Sequence, residues 1–140
     1  MMRWSEERGA RIQGRPSHHY NDITLANCML VAGVVQGLDV DGLAHALLEA
    51  HWRHDADLAD RDTLLRVGER SGHDAPALLE GAQSRAVRDA YAANTGEAIA
   101  RSVFGSPTYF ADDDMFHGQD RLEMLERALE RPYSRDWSGA

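Results

Sequence analysis

The sequence predicts an α/β domain: a long helical stretch over residues 22–103, followed by a strand–strand–helix unit over 104–140. Three observations predict it. Apolar residues recur at helical spacing from Asp22 to Val103. After Gly105, "PTYFA" and "DMFH" are rich in β-formers and are separated by two aspartates, which reads as a hairpin. A last apolar stripe of Leu122, Leu125 and Leu129 follows an acidic start and stops before Pro132.

Residues 3–9 end a helix, with Gly9 as its stop. "ARIQGRP" offers one short strand around Ile12, and "PSHHYN" (16–21) is a loop. Residues 22–36, "DITLANCMLVAGVVQ", are apolar on nearly every face, as in a buried helix, with Asp22 or Asn21 as its cap. "GLDVDG" connects to a helix over 42–54, whose stripe is Leu43, Leu47, Leu48 and His51. Asp60 caps a helix through Leu64, Leu65 and Val67 that Gly72 ends. Asp74 and Pro76 start the next. Val87, Tyr91 and Ala98 keep helical spacing to residue 103. In the hairpin the Asp-Asp turn is less suited than Asp-Gly. Asp120 and Glu123 make a D-x-x-E start close to a capping box, and a polar tail follows Pro132.

The chain has 140 residues, 43% apolar and 27% charged, enough for one domain with a hydrophobic core. Its net charge of −8 argues against nucleic acid and anionic membranes as partners. No apolar run approaches the ~20 residues of a membrane span, and the start lacks the apolar segment of a signal peptide. Cys28 is the single cysteine, so no internal disulfide and no CxxC chemistry is available, which fits a reducing, cytoplasmic setting.

Two places invite a ligand. A helix start presents unpaired N–H groups and positive partial charge. With Asp120 beside the N–H groups of Gln119 and Asp120, it suits a carboxylate and an ammonium carried on one carbon, as in a γ-glutamyl group. The same aspartate equally serves as a plain N-cap. Ser106-Pro107 precedes a strand, where proline marks an edge, a bulge or a cis bond. A cis bond turns the Ser106 backbone toward a pocket; only about 5% of such bonds are cis, so the trans form is the alternative.

"ARSVFGSPTYFADDDMFHGQDRLEMLERAL" resembles the C-terminal signature of 2-hydroxychromene-2-carboxylate isomerases, relatives of kappa-class glutathione transferases and DsbA. The likeness extends back through "AHWRHDADLADRDTLLRVGERSGHDAPALLEGA" and "RPSHHYN". The specific part is Phe104 to Leu122. The resemblance implies a thioredoxin-like (DsbA-like) domain with a large all-helical insertion, N-terminally truncated. Residues 1–21 are then the remnant of a second helix and strand, 22–103 the insertion, and 104–140 the C-terminal half of the thioredoxin-like part.

It further implies glutathione as cofactor. Pro107 is then cis and the backbone of Ser106 before it pairs with the cysteine of glutathione, Gln119 and Asp120 hold its γ-glutamyl end, and Asn21 lies near its thiol. The implied reaction isomerises a hydroxychromene carboxylate, a small aromatic-derived substrate. Addition of a thiolate turns a C=C bond single, rotation follows, and elimination restores it. A homodimer is implied as well.

Two features depart from the family. The serine that activates the thiol belongs to a strand and helix that should precede "RWSEERGARIQGRP", so the catalytic group is unassigned and the chain reads as a member that starts late. Asp113 and His117 stand where glycine and an aromatic are usual. The rival reading is a non-catalytic truncated member that self-associates or binds a partner through an unpaired sheet edge.

Seven histidines invite a metal reading, with His51 and His54 at i, i+3 and His18 beside His19. No HExxH and no Cys/His cluster accompanies them, so no metal site is assigned, and Cys28 reads as a core residue.

Overall fold

The structure, a computed structural model, describes residues 2–133. Helix α1 spans Met2–Glu7, α2 Thr24–Val35, α3 Asp41–His54, α4 Arg61–Arg70, α5 Ala75–Gly81 and α6 Arg85–Ala100. Strands β1 (Thr108–Ala111) and β2 (Asp114–His117) follow, then a 3-10 turn over Gln119–Arg121 and helix α7, Leu122–Glu130. The chain divides into two compact units, Met1–Asn94 and Thr95–Ala140. No helix among the described residues is long and apolar enough to cross a membrane.

In the first unit α2 packs on α5 and α3, α3 on α4, and α4 on α5. Met29, Leu43, Leu64, Leu78 and Leu79 are the largest fully buried side chains among the described residues, each worth about 1.5–3 kcal/mol of transfer free energy. Cys28 lies in the same core at 3% exposure. Gly68 lets α4 approach α5, because a Cβ there would come 2.6 Å from that of Ala75 and 2.7 Å from Cε of Met29. Aspartates shape the helix starts. Asp60 and Asp74 accept the N–H groups of Thr63 and Ala77 as N-caps. Gly72, at φ +83, ends α4 as expected.

Several expectations are corrected. No strand forms at Ile12; Gln13 gives one N–H to the Trp52 carbonyl at 2.6 Å, a single tie and not a ladder. Helix α2 starts at Thr24, not Asp22, because Asp22 accepts the Thr24 N–H from just outside the helix, at 2.9 Å. Nor is α2 buried all round: Val34 and Val35 are exposed. At about 100° per residue they lie well off the face centred on Met29. Leu48 is 58% exposed, since it sits about 140° round α3 from Leu43, whereas Ala50 sits about 20° away.

In the second unit β1 and β2 pair antiparallel, Thr108 with His117 and Ala111 with Asp114. The two-residue turn puts Asp112 at φ +52, a conformation aspartate tolerates better than most side chains. The Arg101 guanidinium lies 3.5 Å from the Phe110 ring centroid. Helix α7 packs on both strands, with Ala128 buried and Leu125 half-buried, while Phe116 is the buried side chain of β2. The expected stripe is corrected here: Leu122 is 46% and Leu129 71% exposed. Two strands about 4.8 Å apart offer a strip and not a face, and Leu122 and Leu129 fall to one side of it. Pro132 follows the end of α7; the polar tail from residue 134 lies outside the described residues.

Candidate functional site

The C-terminal unit holds four of the five named candidates. The Ser106–Pro107 bond is cis. Ser106 is exposed, and among the described residues its backbone N–H and C=O are both without a hydrogen-bond partner. The proline carbonyl accepts the Gly118 N–H at 2.9 Å, which pins the loop before β1 to the residue that leads into the 3-10 turn. Beside it the Thr108 hydroxyl donates to the Gly105 carbonyl at 2.6 Å and lies 3.1 Å from Nδ1 of His117. The Phe104 ring lies 4.5 Å from that of His117. A tie through Pro107 thus brings the Ser106 loop and the Gln119–Asp120 turn to one end of the hairpin.

Gly118 sits at φ +101, and a Cβ there would run into the Asp120 carboxylate. Glycine is therefore required for that carboxylate to fold back over the turn. Asp120 is not the helix cap the spacing suggests. Helix α7 begins at Leu122 with no side-chain cap, and Asp120 pairs with Arg121 at 3.6 Å. The capping box fails because the 3-10 turn, closed by Arg121 N–H to the Gly118 carbonyl at 3.2 Å, occupies the positions the box would use. Gln119 and Asp120 are both exposed.

Asn21 belongs to the first unit, in the loop before α2. Its Nδ2 donates to Oδ2 of Asp57 at 2.9 Å and lies 3.5 Å from Nδ1 of His18, which is itself 3.6 Å from Asp57. Ser17 binds Asp55 twice, through its N–H at 2.6 Å and its hydroxyl at 2.7 Å. Nδ1 of His51 faces the Ala56 carbonyl at 3.3 Å and so donates, which leaves Nε2 to accept from Nδ1 of His19, also at 3.3 Å. The rings of His19 and His51 each lie 5.2 Å from Trp52.

These bonds hold the carboxylates below the usual range. For Asp55 the cause is Ser17; for Asp57 it is the Ala59 N–H first and Asn21 second; for Asp60 it is Thr63. Sequence reading missed this network. "PSHHYN" and "HDADLAD" carry its polar residues, yet nothing in their spacing says that the two loops meet.

His51 is buried at 7% in this network, whereas His54 is exposed. Among the described residues no group of three or more His, Cys, Asp or Glu side chains is arranged to hold a metal ion. An open cleft of about 390 Å³ lies between α1, residues 10–13 and Arg53. None of the sequence-derived candidates lines it.

A family model described as a DSBA-like thioredoxin domain matches residues 1–130. The 2-hydroxychromene-2-carboxylate isomerase of Sphingobium xenophagum is 40% identical over 78 residues, covering 56% of this chain and 40% of that protein. The enzyme of the same name from Pseudomonas putida is 45% identical over 65 residues, 46% of this chain and 32% of its own length. A solved structure of a 2-hydroxychromene-2-carboxylate isomerase superposes with a TM-score of 0.74 at 29% identity, covering 93% of this chain and 62% of that one. The chain thus spans under two thirds of the length of each.

Proposed function

The chain belongs to the DSBA-like thioredoxin-domain family, and from that premise we propose that it acts as a glutathione-dependent isomerase of the 2-hydroxychromene-2-carboxylate type. The observation that carries the reading is the superposition on a solved isomerase of that name over 93% of this chain.

The residues present fit glutathione. Ser106 offers an unpaired N–H and C=O on an exposed loop, the pair an extended peptide needs. Asp120 offers a carboxylate to an ammonium, and Arg121 beside it offers a guanidinium to a carboxylate. Gln119 adds an exposed amide at the same turn. Glutathione, when bound, supplies a nucleophilic thiol that makes a conjugated C=C bond rotatable. The chain's part is to hold the peptide: Ser106 and Pro107 at its middle, Gln119 and Asp120 at its γ-glutamyl end. A reducing, cytoplasmic compartment and a homodimer belong to the same reading.

Calorimetric titration of glutathione into the purified chain, with ultraviolet assay of hydroxychromene carboxylate conversion, tests it. Saturable binding and glutathione-dependent turnover are expected. No binding overturns the reading.

The second reading is a non-catalytic member that self-associates or binds a partner. Exposed apolar side chains favour it: Val34, Val35 and Leu38 in one unit, Phe104, Leu122 and Leu129 in the other. Binding without turnover, with mass rising with concentration in light scattering, is its expected outcome.

A further inference from the structure

Protons can be assigned along the chain Gly105–Thr108–His117. The Gly105 carbonyl has none to give, so the Thr108 hydroxyl donates to it across 2.6 Å. That hydroxyl has one proton. Toward His117, 3.1 Å away, the Thr108 oxygen therefore only accepts, and Nδ1 of the imidazole carries the hydrogen. In the neutral ring the lone pair is then on Nε2. Nε2 makes no hydrogen bond, and the ring no ion pair, among the described residues. The half-buried ring is also fixed in place. Phe104 lies 4.5 Å away. At Gly105 a Cβ would fall 2.7 Å from Cε1 and 3.4 Å from Nε2, so the basic nitrogen lies against the backbone one residue before Ser106.

We propose that His117 is the proton acceptor for the thiol that docks against the Ser106 backbone. The proposal rests on the glutathione reading above and adds the group that reading leaves unassigned. In the step the S–H bond breaks, its electron pair stays on sulfur, and an N–H bond forms at Nε2. The resulting imidazolium keeps its Nδ1–H on the Thr108 oxygen, a hydrogen bond that strengthens as charge develops. The groups facing the ring are Phe104 and Gly105 from the segment before β1 and Thr108 from β1; none is charged. The nearest acids along the chain, Asp114 and Asp120, form no ion pair with it. An aromatic hydrocarbon at position 117 would keep the contact with Phe104 and lose the base.

The test uses the whole chain, glutathione and S-methylglutathione, which has no thiol proton. Nitrogen NMR of the free protein is expected to show His117 protonated at Nδ1. Bound glutathione is then titrated by its thiolate absorbance. In His117→Phe the thiolate is expected to form roughly one pH unit higher, about tenfold less at neutral pH, while calorimetric affinity for S-methylglutathione stays within about twofold. Thr108→Val is expected to shift the titration in the same direction and Thr108→Ser to restore it, which tests the assignment should His117→Phe fold poorly. Wild-type protein that binds neither peptide overturns both the function and this role. Binding with a thiolate titration unmoved in His117→Phe and Thr108→Val overturns this role alone.

Discussion

Asn21 and Asp57, 36 positions apart, meet at 2.9 Å through Nδ2 and Oδ2, so the loop before α2 is tied to the turn before α4. Asn21→Ala removes this tie and leaves Asp57 with the Ala59 N–H. A fall of a few degrees in Tm is expected, and Ser17→Ala, on the neighbouring Asp55, is expected to act in the same direction. Thermal melts followed by circular dichroism check it. An unchanged Tm in both variants would show that the loop contributes nothing to stability.

Asp55, Asp57 and Asp60 titrate below their ordinary value because their charged forms accept hydrogen bonds in the folded chain. A carboxylate depressed in this way stabilises the fold fully above the unfolded value, about 3.9, and loses that contribution as pH falls through the folded value. The expected result is a Tm that is level near neutrality and drops steeply below about pH 4. Asp55→Asn is expected to flatten that drop. Melts across the acid range read both.

Gly68 and Gly96 are expected to respond in opposite directions to alanine. A methyl at Gly68 meets Ala75 and Met29, so Gly68→Ala costs about 1–3 kcal/mol. Gly96 lies within α6 with nothing near its missing Cβ, so Gly96→Ala gains about 0.5–1 kcal/mol from helix propensity. Urea denaturation of the two variants measures the difference.

Asp120→Ala is expected to weaken glutathione about 10- to 100-fold, the loss of one charged hydrogen bond at the amino-acid end. Helix α7 should be little affected, because Asp120 does not cap it. Calorimetry and far-ultraviolet circular dichroism separate the two effects. Equal affinity in the variant would remove Asp120 from the site.

Local chemistry was legible in the sequence where one residue decides one conformation. Asp60 and Asp74 start helices where their carboxylates cap the first turn, Gly72 ends one at a positive φ, and the Asp112–Asp113 turn sits between the expected strands. Placement that depends on a partner was not. Leu48, Leu122 and Leu129 are as apolar as their buried neighbours, and only the width of the surface opposite decides which of them is covered. The Asp120 cap failed for a similar reason. D-x-x-E fits a helix start, but the preceding Gly118 allows a tighter turn that the spacing does not reveal. At the candidate site, the loop residues Ser106 and Pro107 could be named from sequence, whereas the proton assignment on His117 needs the Thr108 and Gly105 oxygens placed in space.

The chain's single sulfhydryl, on Cys28, is walled off in the interior. A colorimetric thiol reagent added to native protein after gel filtration therefore meets little background from the polypeptide. Under the proposed function, prompt colour would count retained glutathione, one equivalent per occupied chain, and a slow second phase clocks the opening of the helical core.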